Sequence, residues 1–370
     1  MTVLAAPSTA GEDKMRFWDK QQKGANIFNE EITREDIKAA KKYGIAFIRL
    51  APDKFASGAR DFLIGDADDY QSLVPKDLRK LKDILDMFHE EGMPVLVTVL
   101  SLPGSRWKQN NNDKDDLRIW RDKKFQIQAA MFWQDLSKEI AGHPAVVGFN
   151  ILNEPHPEKL YSQGELNEIK QNEIQSMLFD FYDLVIGSIR EVDKSIPIIL
   201  DSSGYADPKT FQRLKRHKDE KVFYSFHMYE PYAYTNRRLN GGKFQYPGPV
   251  NGVYWGYKAL KNYMNTVLVF QRTNNVSSNR ILVGEFGGHR MSKGLPNYFE
   301  DLTKFFNENG WHYAFYAFRE DTWDGMDYEL GDRRMPWSYW QALERGDKPV
   351  VDRRPDTPSF KAILDSIQKP

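Results

Sequence analysis

An α/β fold, a single-domain (β/α)8 TIM barrel, is predicted by three observations on this 370-residue chain. Eight short apolar runs recur along it. Nearly all are separated by stretches of helical periodicity, the alternation that builds a parallel sheet with helices outside. Eight such units in this length close into a barrel. The rival architecture, an open doubly wound sheet, would carry a glycine-rich phosphate loop after its first strand, and none is found there.

The elements follow in order. Gly24-Ala25-Asn26-Ile27-Phe28-Asn29 is the first strand, and residues 32–43 form a helix stopped by Gly44. Ile45 to Leu50 is the second strand, apolar except for Arg49. Residues 75–91 place Leu78, Leu81, Ile84, Leu85 and Phe88 on one helical face, and Gly92 ends that helix. The β-branched run at 94–100 is the third strand. A helix is expected over 117–141, then the fourth strand, which leads into Asn153-Glu154-Pro155. A long helix over 165–192, a fifth strand at 196–201 and a short helix opened by Asp207-Pro208 come next. The sixth strand, 222–229, carries His227 and Tyr229. After an aromatic and glycine-rich segment, residues 254–271 are helical. The seventh strand delivers Glu285, 298–309 is a helix, 311–318 is the eighth strand, and 357–367 is the closing helix.

Composition narrows the function classes. The chain has 52 basic and 52 acidic residues, so nothing points to nucleic acid, and the balance is compatible with a monomer. The basic run Arg213 to Lys218 reads as the solvated face of a helix. With no cysteine, a disulfide framework and cysteine-ligated zinc are excluded. His143, His156 and His289 lack metal-ligand spacing, and Asp66, Asp68 and Asp69 read as a solvated acidic loop rather than a calcium site. No metal and no cofactor are therefore assigned. No apolar run approaches the ~20 residues of a membrane span. Residues 1–20 are taken as an N-terminal extension, either a signal-peptide remnant or a disordered terminus, and 21–370 as the catalytic domain. The remnant reading is preferred and makes the protein secreted or periplasmic.

In a barrel of this kind the C-terminal strand ends form the active face. Arg49, Asn153, Glu154, His227, Tyr229 and Glu285 all fall there. Any one of them has a bland reading as a satisfied polar group in a turn. Together they place two carboxyl groups on opposite strands, four and seven, facing one cleft. Glycoside hydrolysis uses such a pair, one to protonate the leaving oxygen and one to attack the anomeric carbon, roughly 5–5.5 Å apart when configuration is retained.

Three stretches carry a resemblance: Ile151-Leu152-Asn153-Glu154-Pro155, His227-Met228-Tyr229 and Gly284-Glu285-Phe286-Gly287. They resemble the motifs of glycoside hydrolase family 5, the cellulase family of clan A, on the expected strands and in the expected order from Gly24 onward. The resemblance implies a retaining endo-acting β-glycoside hydrolase cleaving a β-glucan such as cellulose, with an oligo- or polysaccharide as its partner. It implies Glu154 as acid/base, Glu285 as nucleophile and Asn153 on the sugar 2-hydroxyl. It further implies Arg49 holding Glu285 ionised, Tyr229 donating to Glu285, and His227 positioning Glu154 or the sugar. The chain departs from the family twice. Leu100-Ser101-Leu102-Pro103-Gly104 lacks the histidine usual at the end of strand three. Strand eight lacks the usual tryptophan, so Tyr316 or Phe318 must form the floor under the sugar. Trp107, Trp255 and Trp323 are further stacking candidates, Trp323 foremost. The departures leave open a carbohydrate-binding barrel without catalysis, or action on mannan, β-1,3-glucan or a glycolipid. An aldolase-type barrel is disfavoured because no strand ends in lysine.

Overall fold

The computed structural model describes residues 10–161, 166–239, 241–347 and 349–369. Eight strands, Lys23–Ile27, Ile48–Leu50, Val95–Thr98, Val146–Asn150, Ile198–Asp201, Val222–Met228, Ile281–Phe286 and His312–Phe315, pair in parallel in chain order, and the eighth closes on the first. The closed (β/α)8 barrel expected from the alternation is the observed architecture.

Local chemistry explains most helix boundaries. Helix Arg34–Lys42 starts on a capping box in which Thr33 and Asp36 exchange side-chain and backbone hydrogen bonds, and Gly44 follows with φ +84°. Helix Pro75–Glu90 has proline in its first turn, where the missing N–H has no partner to lose. The single helix expected over 117–141 is divided. A 3-10 turn, Arg118–Trp120, precedes helix Lys123–Ile140, which Asp122 caps through the Lys124 N–H. The helix expected from 254 begins at Tyr257, because Val253–Trp255 pairs with Gly248–Val250 in an antiparallel ribbon. The basic run at 213–218 is not a helical face. The 3-10 helix Pro208–Arg213 ends at its first residue, and Arg216 then pairs with Glu220.

The N-terminal end of the barrel is closed by a side chain from outside the strands. Residues 1–9, part of the expected signal remnant, lie outside the described residues. Helix Ala10–Phe17 leads to Trp18, which is buried against Phe47, Leu96, Val147, Ile199, Phe223, Leu282 and Ala314. Its indole N–H donates to the Val147 carbonyl at 3.0 Å. Packing of the barrel thus begins before residue 21, the boundary drawn from the sequence. Truncating so large a buried side chain leaves a cavity as well as losing its transfer free energy, so Trp18→Ala is expected to cost about 3–5 kcal/mol. Urea unfolding followed by circular dichroism measures this.

The opposite end of the barrel is polar. Asn26 is in register with Arg49, Thr98 with Asn150, Asp201 with Ser225, and His227 with Glu285, all buried. An apolar layer below and a charged layer above put the chemistry at the C-terminal face.

Candidate active site

Arg49 is the hub of the charged layer. Its side chain has no exposure, so every N–H must find a partner inside the protein. Nη1 donates to Glu285 Oε1 at 2.8 Å and to Asn26 Oδ1 at 2.9 Å. Nε and Nη2 share Asn150 Oδ1, and Nη2 also reaches Asn153 Oδ1 at 2.8 Å. Asp201 Oδ2 lies 3.5 Å from Nη2.

Glu285 is the penultimate residue of the seventh strand, Ile281–Phe286, and is buried. Its second oxygen accepts from the Tyr229 hydroxyl at 2.7 Å. Burial pushes its carboxyl above the ordinary 4.5, and the nearby Glu154 adds to this; His227 and Arg49 pull the other way. Arg49 thus favours the ionised form, as expected, but does not override desolvation.

Glu154 is placed differently from the expected strand end. The fourth strand stops at Asn150, and Glu154 sits in the following loop with φ +51°. A non-glycine residue in the left-handed region is held there by its surroundings. Here the Glu154 N–H donates to Asp201 Oδ2 at 3.2 Å, and a His156 ring nitrogen lies 2.8 Å from the Glu154 carbonyl. Its side chain is 29% exposed against 6% for Glu285. His227 Nδ1 lies 2.8 Å from Glu154 Oε1. Burial pushes the imidazole down, but Glu285 and Asp201 prevail and raise it to about 10. His227 is therefore an imidazolium at neutral pH and donates to Glu154. One carboxylate oxygen each from Glu154 and Glu285 and a ring nitrogen of His227 lie within 4.8 Å of one another.

The six residues expected at the strand ends are thus brought together. Of the remaining candidates, Tyr316 and Trp323 line the same cleft of about 420 Å³ as Glu154 and Glu285. Phe318 does not. It is 1% exposed and packs against Phe360 and Tyr43, so it belongs to the core, and Tyr316 alone of that pair faces the cleft. Tyr316 donates to Glu320 at 2.8 Å, and Glu320 is ion-paired with Lys54 at 2.9 Å. Trp323 has the Arg238 guanidinium over its ring at 4.6 Å. Trp107 lines the cleft, whereas Trp255 packs beside Tyr263 on the antiparallel ribbon. Asp66, Asp68 and Asp69 are not a free acidic loop. Arg106 bridges Asp66 and Asp68, Arg118 holds Asp68, and Lys124 holds Asp69.

Sequence reading missed Asn26, Asn150 and Asp201. Asn150 and Asp201 close their strands, and Glu285 stands one residue from the end of its own, so the strand-end rule applied evenly would have found both.

Gly284 has a steric role beside Glu285. A Cβ there would lie 2.7 Å from Ser225 Oγ and 2.9 Å from His227 Nε2, both inside real contact distance. Gly284→Ala is expected to push His227 from Glu154 and lower kcat at least about tenfold, as displaced catalytic groups do. Steady-state kinetics beside a thermal melt check this; full kcat in a folded variant would refute it.

Comparison with known proteins agrees with the fold. A solved hyperthermophilic endo-β-1,4-glucanase in complex with substrate superposes with a TM-score of 0.65 at 19% identity, covering 97% of this chain and 100% of that one. Thermotoga maritima Cel5A in complex with cellobiose gives 0.61 at 16%, covering 96% and 100%. Cellodextrinase A of Ruminococcus flavefaciens is 21% identical over 56% of this chain and 54% of its own length. Endoglucanase C of Acetivibrio thermocellus is 20% identical over 61% of each. A beta-xylosidase of Phanerodontia chrysosporium is 21% identical over 80% of this chain and 55% of its own. The chain therefore spans between about half and three-fifths of the curated relatives it matches. The family model described as cellulase (glycosyl hydrolase family 5) matches residues 10–322, and the chain belongs to glycosyl hydrolase family 5.

Proposed function

We propose that the protein hydrolyses a β-glucan such as cellulose, endo-acting and with retention of configuration, through Glu285 as nucleophile and Glu154 as acid/base. The observation that carries this reading is the pair of carboxyl groups in one open cleft, within 4.8 Å at their nearest oxygens and in unlike surroundings. Retaining hydrolysis wants a pair about 5–5.5 Å apart, whereas an inverting pair needs ~6.5–9.5 Å to admit water between acid and base. Unlike surroundings let one group stay ionised while the other keeps a proton.

The steps follow from the contacts. Ionised Glu285 attacks the anomeric carbon as Glu154 gives its proton to the departing oxygen. A covalent glycosyl–Glu285 ester forms and the leaving sugar departs as an alcohol. Glu154, now a carboxylate, takes a proton from water, and the resulting hydroxide equivalent displaces Glu285. Asn153 has its oxygen committed to Arg49 at 2.8 Å, which leaves its amide N–H groups for the sugar 2-hydroxyl. The Tyr229 hydroxyl, hydrogen-bonded to Glu285, orients the attacking carboxylate. Endo action is supported by space on both sides of the carboxyl pair. One lobe is bordered by Tyr205, Asp207 and Tyr263, the other by Lys54, Trp107 and Thr322.

The test is a panel of carboxymethyl-cellulose, mixed-linkage glucan, laminarin, mannan and xylan, with reducing ends followed and the first product anomer read by proton NMR. Release from a β-glucan with the β-anomer appearing first is expected. The α-anomer appearing first would rule out retention. Silence on all five polymers would redirect the reading to a glycolipid or short oligosaccharide.

A further inference from the structure

We propose that Asp201, at the end of the fifth strand, is a positioning residue that holds His227 as an imidazolium and, through that ring and the Glu154 backbone N–H, fixes the Glu154 carboxyl in the cleft. The inference rests on the hydrolase reading for its kinetic consequence, though not for its structural one.

The geometry singles Asp201 out. Its side chain has no exposure, and a lone carboxylate there would cost several kcal/mol or turn neutral. Oδ1 accepts from Asn150 Nδ2 at 3.1 Å, and Oδ2 accepts from the Glu154 backbone N–H at 3.2 Å. Oδ2 also lies 3.5 Å from Arg49 and 3.4 Å from His227 Nε2. The Tyr182 hydroxyl donates to the Asp201 carbonyl at 2.8 Å and fixes the strand end. One buried carboxylate thus faces both cations of the site and the backbone of the acid. His227 Nε2 makes no hydrogen bond at all, so the charge of Asp201 is what that buried nitrogen has in place of one.

Charge balance gives the consequence. Around His227 stand Glu154 from the loop after strand four, Asp201 from strand five and Glu285 from strand seven. Arg49 of strand two lies beyond Asp201, and Tyr229 follows on its own strand. Two cations, Arg49 and His227, are offset by two carboxylates, Asp201 and Glu285. A charged His227 is always a donor at Nδ1, and its 2.8 Å contact with Oε1 holds the third carboxyl, Glu154, in one place. His227 and Arg49 draw the Asp201 carboxyl well below the usual range although burial opposes them, consistent with a fixed negative charge. Asp201→Asn would leave two cations against one carboxylate, and His227 would lose part of the charge that holds its second proton; a neutral ring no longer fixes Glu154 as a proton donor.

The experiment uses the full chain as wild type, Asp201→Asn, Asp201→Glu and His227→Asn, the last to assign the His227 signal. In 15N-histidine-labelled protein, His227 is expected to stay doubly protonated past pH 8 in the wild type. In Asp201→Asn it should titrate about one to three pH units lower, with Asp201→Glu restoring part of the shift. In kinetics, the alkaline limb of kcat/KM on a glycoside with a poor leaving group should move down in Asp201→Asn. The limb for a dinitrophenyl glycoside, whose departure needs no acid, should not move. An unmoved His227 titration, or an equal loss at every pH and for both leaving groups, would overturn the proposal. If Asp201→Asn does not fold, finding His227 neutral at pH 7 in the wild type overturns it alone. A wild type inactive on every glycoside sinks the hydrolase reading, while the NMR titration still decides the role of Asp201.

Discussion

Glu285→Gln is expected to lower kcat/KM on a β-glucan by at least about 10⁴-fold, or about 5.4 kcal/mol of transition-state stabilisation. Glutamine keeps the shape, its oxygen can accept from Arg49 while its NH2 donates to the Tyr229 hydroxyl oxygen, but it cannot form the ester. The fold should survive. Burial pushes the Glu285 carboxyl above 4.5, so the folded state favours its neutral form, and this contribution to stability is lost as pH rises through the raised value. A neutral isostere removes that cost at pH 7, so the melting temperature is expected not to fall. Calorimetry beside kinetics separates a chemical loss from an unfolded sample. Turnover in a verified, folded Glu285→Gln protein would end the nucleophile assignment. The same raised value sets the acid limb of the wild-type rate above pH 4.5, and removing the Arg49 charge should move that limb higher still.

Glu154→Ala is expected to give a different signature. On a glucan the loss should be about 10²–10⁴-fold, the usual worth of positioned proton transfer. On an aryl glycoside with an acidic phenol the first step needs no proton donor, so the glycosyl–Glu285 ester should accumulate. Added azide, which needs no general base, should then speed turnover and yield a β-glycosyl azide. In Glu285→Ala, azide would instead enter from the opposite face and yield the α-glycosyl azide. Product NMR reads the difference, and the same anomer from both variants would refute the division of roles.

The substrate side of the cleft departs from the resemblance in one place and compensates in another. Tyrosine stands where the family tends to place tryptophan under the sugar. Its hydroxyl is anchored by Glu320, itself tied to Lys54 and Thr322. A smaller ring fixed at its tip presents a defined face at little entropic cost.

The barrel and the pair of glutamates were legible in the linear chain because both rest on local signals. Periodicity and capping fix where strands and helices begin, as Thr33-Asp36 and Pro75 do. A carboxyl closing an apolar strand is costly enough to stand out, as Glu285 does. Contacts made across the barrel were not legible. Phe318 and Tyr316 lie two residues apart, yet only the tertiary packing decides that one meets Phe360 in the core and the other the cleft. Trp18 looked like part of a loose terminus because its partners come from seven later segments of the chain. The protonation of the site is the clearest case. The sequence by itself determined which ionisable residues reach the C-terminal face. Only the folded barrel decided that Asp201 joins Arg49, His227, Glu154 and Glu285 within a few ångströms. Burial and distance, which no linear pattern encodes, set which of those groups hold their protons.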